Sequence, residues 1–151
     1  MGDNNIQLRR RLVDTLYVES MLLADEARGY FDDAGRGDRD MLDGLSRVVF
    51  SCESMKVTTR LMHVIAWLLT QRAVLAGELR AHDALDPSRR LGDAPESEDA
   101  VIDTMPDAAR ILIVASIDLH RRVGRFDRAQ GEPVLTVSPA RAMIDRLALS
   151  F

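Results

Sequence analysis

Residues 45–76 read LSRVVFSCESMKVTTRLMHVIAWLLTQRAVLA, and this stretch decides the fold. It contains neither proline nor glycine, and its apolar residues recur at the three- and four-residue spacing of an α-helix. Two heptad tracks run along it: Leu45, Cys52, Thr59, Ala66 and Ala73, and Val48, Met55, Met62, Leu69 and Ala76. Together they form one seam on one helix face. We therefore predict a long helix from about Asp40 to His82 whose seam packs in the core, with Cys52 as a small packed hydrophobe.

The sequence on either side predicts two more long helices and a short one. Apolar spacing indicates helices over about 6–31 and 104–128, and a Ser-Pro start indicates a last helix over 140–149. Polar turns separate these segments, and no strand-type alternation is present. We expect an all-α, antiparallel three-helix bundle with a long central helix in residues 1–130. A linker and short C-terminal helix or tail follow in residues 131–151.

Composition excludes several classes of protein. The chain has 151 residues and a formal net charge of −4, which argues against a broad electrostatic grip on nucleic acid. The single cysteine excludes an intramolecular disulfide and favours a reducing compartment. The densest apolar stretch, residues 61–69, is too short to span a bilayer, and no signal-peptide core follows the N-terminus. We expect a cytoplasmic protein with no nucleic-acid or membrane partner.

A search for catalytic chemistry gives little. Glu78 and His82 stand four residues apart, but the Glu-x-x-His pairs of carboxylate-bridged metal bundles are absent, so a surface pair is favoured over a metal site. Cys52 falls on the seam, so a packed small hydrophobe is favoured over a nucleophile. The nearby serine and threonine hydroxyls have no base at a recognisable spacing, and Gly35-x-Gly37 lacks the rest of a phosphate-binding loop. We therefore expect no enzyme activity, no cofactor and no metal.

One helix face combines polar and aromatic residues of the kind found in interfaces. We predict that this face binds a partner through Thr58, Arg60, Val64, Trp67 and Gln71. Arginine and tryptophan are enriched among interface hot spots. The alternative is internal: Arg60 binds an acidic residue of the first helix, such as Asp25 or Glu26, while Trp67 packs inside and Thr58 bonds a carbonyl one turn back.

A second apolar stripe appears in the later half of the central helix. It comprises Leu61, Ile65, Leu68, Leu75 and Leu79. Because the seam already provides this helix with a core face, we predict that the second stripe is a homodimer interface. The alternative is that the third or the last helix covers it.

Several stretches together resemble a known family. They are SMKVTTRLM at 54–62, WLLTQRA at 67–73, Leu16-Tyr17, EARGYF at 26–31, and Arg90-Leu91-Gly92. In sequence and in order they are similar to the alphaproteobacterial family of the regulator of CtrA degradation. The resemblance runs from about Leu12 to Arg128, whereas the rest of the loop and the C-terminal tail diverge.

The resemblance implies a three-helix bundle that acts through binding. The member after which the family is named is an adaptor that helps deliver cell-cycle regulators, among them CtrA, to the ATP-dependent protease ClpXP. It acts with a response-regulator partner, forms a dimer and uses a flexible C-terminal tail. By this resemblance we expect an adaptor or scaffold with ClpX and a response regulator as partners. The alternative is a dimeric helical structural or regulatory protein unrelated to proteolysis.

Overall fold

Three long helices, α1 (Gly2–Gly29), α3 (Gly44–Leu75) and α5 (Asp107–Gly131), pack together in a computed structural model that describes residues 2–131 and 139–150. The shorter helices are α2 (Arg36–Asp40), α4 (Asp99–Asp103) and α6 (Pro139–Leu149), with a π-helical turn at Tyr30–Ala34 and 3₁₀ turns at Asp83–Leu85 and Pro87–Arg89. The described residues form no strand. The prediction of an all-α bundle with a short C-terminal helix is confirmed; the predicted linker lies largely outside the described residues.

The long helices do not all alternate in direction, so the antiparallel arrangement predicted for the bundle is wrong for α3 and α5. Arg9, near the start of α1, bonds Gln71 near the end of α3, so these two helices are antiparallel. Along α3 and α5, in contrast, Arg60 bonds Ser116 and Trp67 bonds Asp127, so these helices run in the same direction. The reason is the connection between them, residues 76–106, which returns along the bundle instead of turning back at its end. We call residues 76–106 the return segment.

Both ends of α3 follow from local sequence signals. Asp43 precedes the helix, and its carboxylate accepts a hydrogen bond from the Ser46 backbone N–H at 2.8 Å. At the other end Gly77 adopts φ +76°, and the N–H groups of Gly77 and Glu78 bond the carbonyls of Val74 and Ala73 at 3.1 and 2.9 Å. This is a Schellman motif. The prediction that the helix continues to His82 is therefore wrong.

The core face of α3 differs from the predicted one. Its buried residues are Phe50, Glu53, Val57, Arg60, Leu61, Val64, Trp67, Leu68 and Gln71, at the spacing of a true 3.6-residue period. The heptad seam faces solvent instead: Leu45 is 78% exposed, Met55 70% and Met62 64%, and Cys52 is exposed too. The prediction of a packed seam is wrong, because three polar residues on the real core face reduce its apparent hydrophobicity.

No helix in the described ranges is both long enough and apolar enough to cross a membrane.

Candidate interaction surfaces

One unusual surface is the exposed heptad seam of α3, which we call the α3 seam. Its exposed members are Leu45, Val48, Cys52, Met55, Met62, Ala66, Leu69 and Ala76. Solvent-exposed apolar residues are common singly, but a continuous row along one helix is typical of a protein-binding site. At 1.5 Å per residue, the row from Leu45 to Leu69 is about 36 Å long.

An apolar groove of about 330 Å³ lies beside the α3 seam, between α1 and α3. Its lining includes Ala24, Ala27, Phe31, Thr58, Leu61, Met62 and Ile65. Thr58 is exposed, and its hydroxyl donates to the Ser54 carbonyl one turn back at 3.2 Å, as the internal alternative predicted. Among the five predicted partner-binding residues, Thr58 is therefore the one on the surface.

The other four predicted partner-binding residues share a face, but the face is internal. Arg60, Val64, Trp67 and Gln71 are each at most 3% exposed. As direct partner contacts they are inaccessible in this structure, because α5 and the return segment cover them.

The predicted dimer stripe also turns inward. Leu61 and Leu68 are buried in the core, while Ile65, Leu75 and Leu79 are half-buried, with Leu79 beyond the end of α3. The stripe therefore packs inside and the seam lies outside, which is the reverse of the prediction: among the described residues, the seam is the face of α3 left exposed to solvent. For Leu61 and Leu68, which are buried within the chain, the alternative of cover by other helices of the chain fits better than a dimer interface.

Trp67 is fixed by a buried carboxylate on α5. Its indole N–H donates to the Asp127 carboxylate at 2.9 Å, and Arg90 of the return segment donates to the same group at 2.8 Å. Burial alone raises the pKa of the Asp127 carboxyl, but hydrogen bonds from Arg90, the Leu91 backbone and Trp67 outweigh it and hold the pKa below its usual value. Asp127 therefore joins α3, α5 and the return segment.

Arg60 makes a second junction of the same kind. Its guanidinium donates to the Pro95 carbonyl at 2.9 Å, to the Ser97 hydroxyl at 2.6 Å and to the Ser116 hydroxyl at 3.3 Å. Ser97 in turn donates to the carboxylate of Glu53. Burial lowers the pKa of Arg60, and the opposite charge of Glu53 acts against that shift. The internal alternative was right about burial and wrong about Asp25 and Glu26, which are exposed.

Gln71 links the start of α1 to the ends of α3 and α5. Its side-chain carbonyl accepts hydrogen bonds from Arg9 of α1 at 2.7 Å and from Gln130 of α5 at 2.9 Å. A buried amide with two long-range donors holds three helices in register. Gln71 therefore positions these three helices relative to one another.

Sequence reasoning missed the partners of these buried groups. Glu53 carried a detectable signal, since it lies seven residues before Arg60 on the same helix face. Ser97, Ser116 and Asp127 carried none, because their contacts depend on the path of the return segment.

The return segment forms one wall of a second, polar groove of about 640 Å³. The 91–97 loop lies on one side and α5 on the other, with Ile117, His120, Arg121, Gly124 and Arg128 among its lining residues. The His120 ring lies 3.1 Å from the Gly92 carbonyl. Because a carbonyl can only accept, the ring N–H donates this bond. Burial lowers the pKa of His120, and His63 and Arg60 add to the shift against the opposing effects of the Gly92 bond and Asp93.

Metal-ligating side chains are scattered. Within residues 2–131 and 139–150, no three His, Cys, Asp or Glu side chains lie close enough together to hold a metal ion. Glu78 and His82 are both exposed and lie beyond the end of α3, so the predicted helical pair does not form.

Fold and surfaces together define an all-helical bundle with a buried polar junction, an exposed apolar seam and a polar groove. The chain belongs to the family described as "Protein of unknown function (DUF1465)", whose model matches residues 5–151. A search of curated proteins finds no match.

A solved structure gives the relationship in more detail. The chain is similar to RcdA from Caulobacter crescentus CB15, with 35% sequence identity and a TM-score of 0.65. The similarity covers 79% of this chain and 90% of the RcdA chain. The resemblance seen in the sequence to the family of the regulator of CtrA degradation is confirmed.

Proposed function

We propose that this protein is a non-enzymatic adaptor or scaffold that assists regulated proteolysis, delivering cell-cycle regulators such as CtrA to ClpXP. Two observations support the proposal. The chain is 35% identical to RcdA over 90% of that chain, and its α3 seam is an apolar surface with no partner in the described structure. The α3 seam is the main support for this proposal, because an adaptor acts by binding other proteins through its surface.

Covering the seam is energetically favourable. Apolar surface gains about 25 cal/mol for each Å² removed from water, so a row of leucine, valine and methionine side chains gains several kcal/mol when a partner covers it. Met55 and Met62 lie near the middle of the row, and methionine side chains adapt to more than one partner shape. A protein surface of complementary shape is the partner this chemistry fits.

We infer that one such partner is a second copy of the chain. The α3 seam repeats every 3.5 residues, which is the period at which two helices pack side by side over a long distance. This moves the proposed homodimer interface from the Leu61–Leu79 stripe to the exposed face of the same helix. The groove between α1 and α3 lies next to the interface and widens it.

Light scattering tests the dimer directly. At micromolar concentration we expect the mass of two chains for the parent and of one chain for Met55→Lys/Met62→Lys, because two buried ammonium groups are expensive to desolvate. Met41→Lys is the matched control: Met41 is exposed but lies outside the seam, so this variant should remain a dimer. A monomeric parent would contradict the dimer.

Capture from native cells tests the adaptor role. After crosslinking, the tagged parent should recover ClpX and a response regulator, and Met41→Lys should do the same. Circular dichroism of each variant verifies that it is folded. A folded, dimeric parent that recovers neither protein would contradict the adaptor role and support the second candidate, a dimeric structural or regulatory protein unrelated to proteolysis. The heptad repeat of the seam favours that candidate, since it requires self-association alone.

A further inference from the structure

The polar groove between α5 and the 91–97 loop has the construction of a ligand site. Gly124 lies at the base of the groove and leaves room there, since a Cβ atom at this position would lie 3.3 Å from the Arg128 guanidinium and 3.6 Å from the Leu91 side chain. Because glycine has no Cβ, the Arg128 side chain folds back over the helix toward the groove. The volume of about 640 Å³ accommodates several residues of an extended chain.

Buried polar groups hold the groove open before any ligand arrives. Arg60, 2% exposed, fixes the loop through the Pro95 carbonyl and the Ser97 hydroxyl. His120 fixes it through the Gly92 carbonyl at 3.1 Å. The loop is thereby tied to α3 and α5 at three points, so little conformational entropy is lost when a ligand binds.

Charged groups of opposite sign occupy the two rims. Arg121 and Arg128 stand on the α5 side, and Asp93 and Glu96 stand on the loop side. All four residues are exposed, and none forms a salt bridge with another residue of the described ranges. The groove therefore offers two guanidinium groups that form no ion pair within the described residues, in a protein whose net charge is negative. Such groups bind carboxylates through paired hydrogen bonds.

We propose that this groove binds an extended acidic peptide segment of a protein partner. Carboxylates of the segment meet Arg121 and Arg128, which are seven residues, or about 10.5 Å, apart along the helix axis. Side chains on one face of an extended chain are two or four residues apart, about 6.8 or 13.6 Å, and the long arginine side chains bridge the difference from about 10.5 Å. Backbone N–H groups of the segment donate to Asp93 and Glu96 on the opposite rim.

The same two carboxylates select against nucleic acid. Every nucleotide carries a phosphate, so a strand in the groove places some of its charges beside Asp93 and Glu96. A peptide spaces its charges and presents amide donors between them. This inference rests on the proposed function only in taking the partner to be a protein, and it does not depend on the α3 seam.

Fluorescence anisotropy with defined probes tests the proposal on the full chain. The probe is a fluorescein-labelled dodecapeptide of alternating Glu and Ser, and the reference probe replaces every Glu by Gln. We expect the acidic probe to bind more tightly than the neutral one, and to weaken as sodium chloride rises from about 50 to 300 mM. Arg121→Gln/Arg128→Gln should lower the affinity roughly 2- to 30-fold.

Arg125→Gln is the matched control, because Arg125 is an exposed arginine of the same helix that does not line the groove. It should leave the affinity within about twofold. Four results would each overturn the proposal. They are an equal loss of affinity in the control variant, equal binding of the neutral probe, no binding at millimolar peptide, and tighter binding of a labelled DNA 12-mer. Met55→Lys/Met62→Lys should still bind the acidic probe, so the result for the groove does not depend on whether the α3 seam forms a dimer.

Discussion

Replacing Arg60 by alanine should destabilise the protein strongly, although an arginine in mid-helix is ordinarily a surface residue. The side chain is 2% exposed and donates to three acceptors on two other segments. Ser97 and Ser116 keep partners without it, because they also donate to Glu53 and to the Ile113 carbonyl. The Pro95 carbonyl loses the guanidinium that binds it.

The magnitude follows from these contacts. A buried acceptor left without a donor costs about 1–3 kcal/mol, and a hydrogen bond from a charged group is worth about 1.5–3 kcal/mol. The aliphatic stem of Arg60 also leaves an unfilled volume beside α5. We expect Arg60→Ala to lower the free energy of unfolding by about 3–5 kcal/mol, the range seen when one member of a buried ionic group is removed. Arg60→Lys should recover little of it, since an ammonium lacks the planar fork.

Urea denaturation followed by circular dichroism measures the effect, and a double-mutant cycle with Ser97→Ala isolates the shared contact. The two single changes should not add, with a coupling of at least about 0.5 kcal/mol. Arg125→Ala is the control, because an exposed arginine without an ion pair in the described ranges should change stability by less than about 0.5 kcal/mol. An Arg60→Ala loss no larger than that of the control would refute the reasoning.

Four further substitutions probe other parts of the structure. Met62→Ala should cost less than about 1 kcal/mol in the monomer, since Met62 is exposed, whereas Leu68→Ala in the core should cost about 2–5 kcal/mol by urea denaturation. Gly77→Ala should cost about 1 kcal/mol, because its positive φ disfavours a side chain; an unchanged thermal midpoint would contradict this. The pKa of His120 is lowered on folding, so protons bind the unfolded chain more readily than the folded one. Stability should therefore fall as pH drops below about 6.5. His120→Gln should reduce that fall, as measured by urea denaturation at several pH values.

Local signals in the sequence predicted the helices well. The proline-free stretch and the Ser-Pro start before α6 are short-range features, and the helices they predict are present. Residues 32–38, expected among the polar turns, instead form most of the π-helical turn and the start of α2. The Schellman end of α3 was also available in the sequence, since Gly77 is the residue that this motif requires. Its position inside a continuing apolar pattern concealed it.

The assignment of faces on α3 could not be made from the same signals. The helix has an apolar seam outside and a mixed face inside, so the usual rule of apolar inside and polar outside selects the wrong side. Arg60 and the side-chain carbonyl of Gln71 are acceptable in the core only because distant residues bond them, and those partners lie on segments whose path depends on the whole fold. The polar groove was equally unpredictable, since its two walls meet only after the return segment crosses α5.

The parallel arrangement of α3 and α5 requires a long connection, and the length of that connection bears on which part of the bundle opens first. The α1–α3 connection, residues 30–43, is roughly half as long as the return segment, so closing the latter costs about 0.6 kcal/mol more in chain entropy. We expect a cooperative sub-global opening in which α5 and the return segment separate while α1 and α3 stay paired. Native-state hydrogen exchange would then show slower exchange of α1 and α3 amides than of α5 amides. In that opened form Arg60 and Trp67 reach the surface, so the residues with the most interface-like chemistry become accessible only transiently.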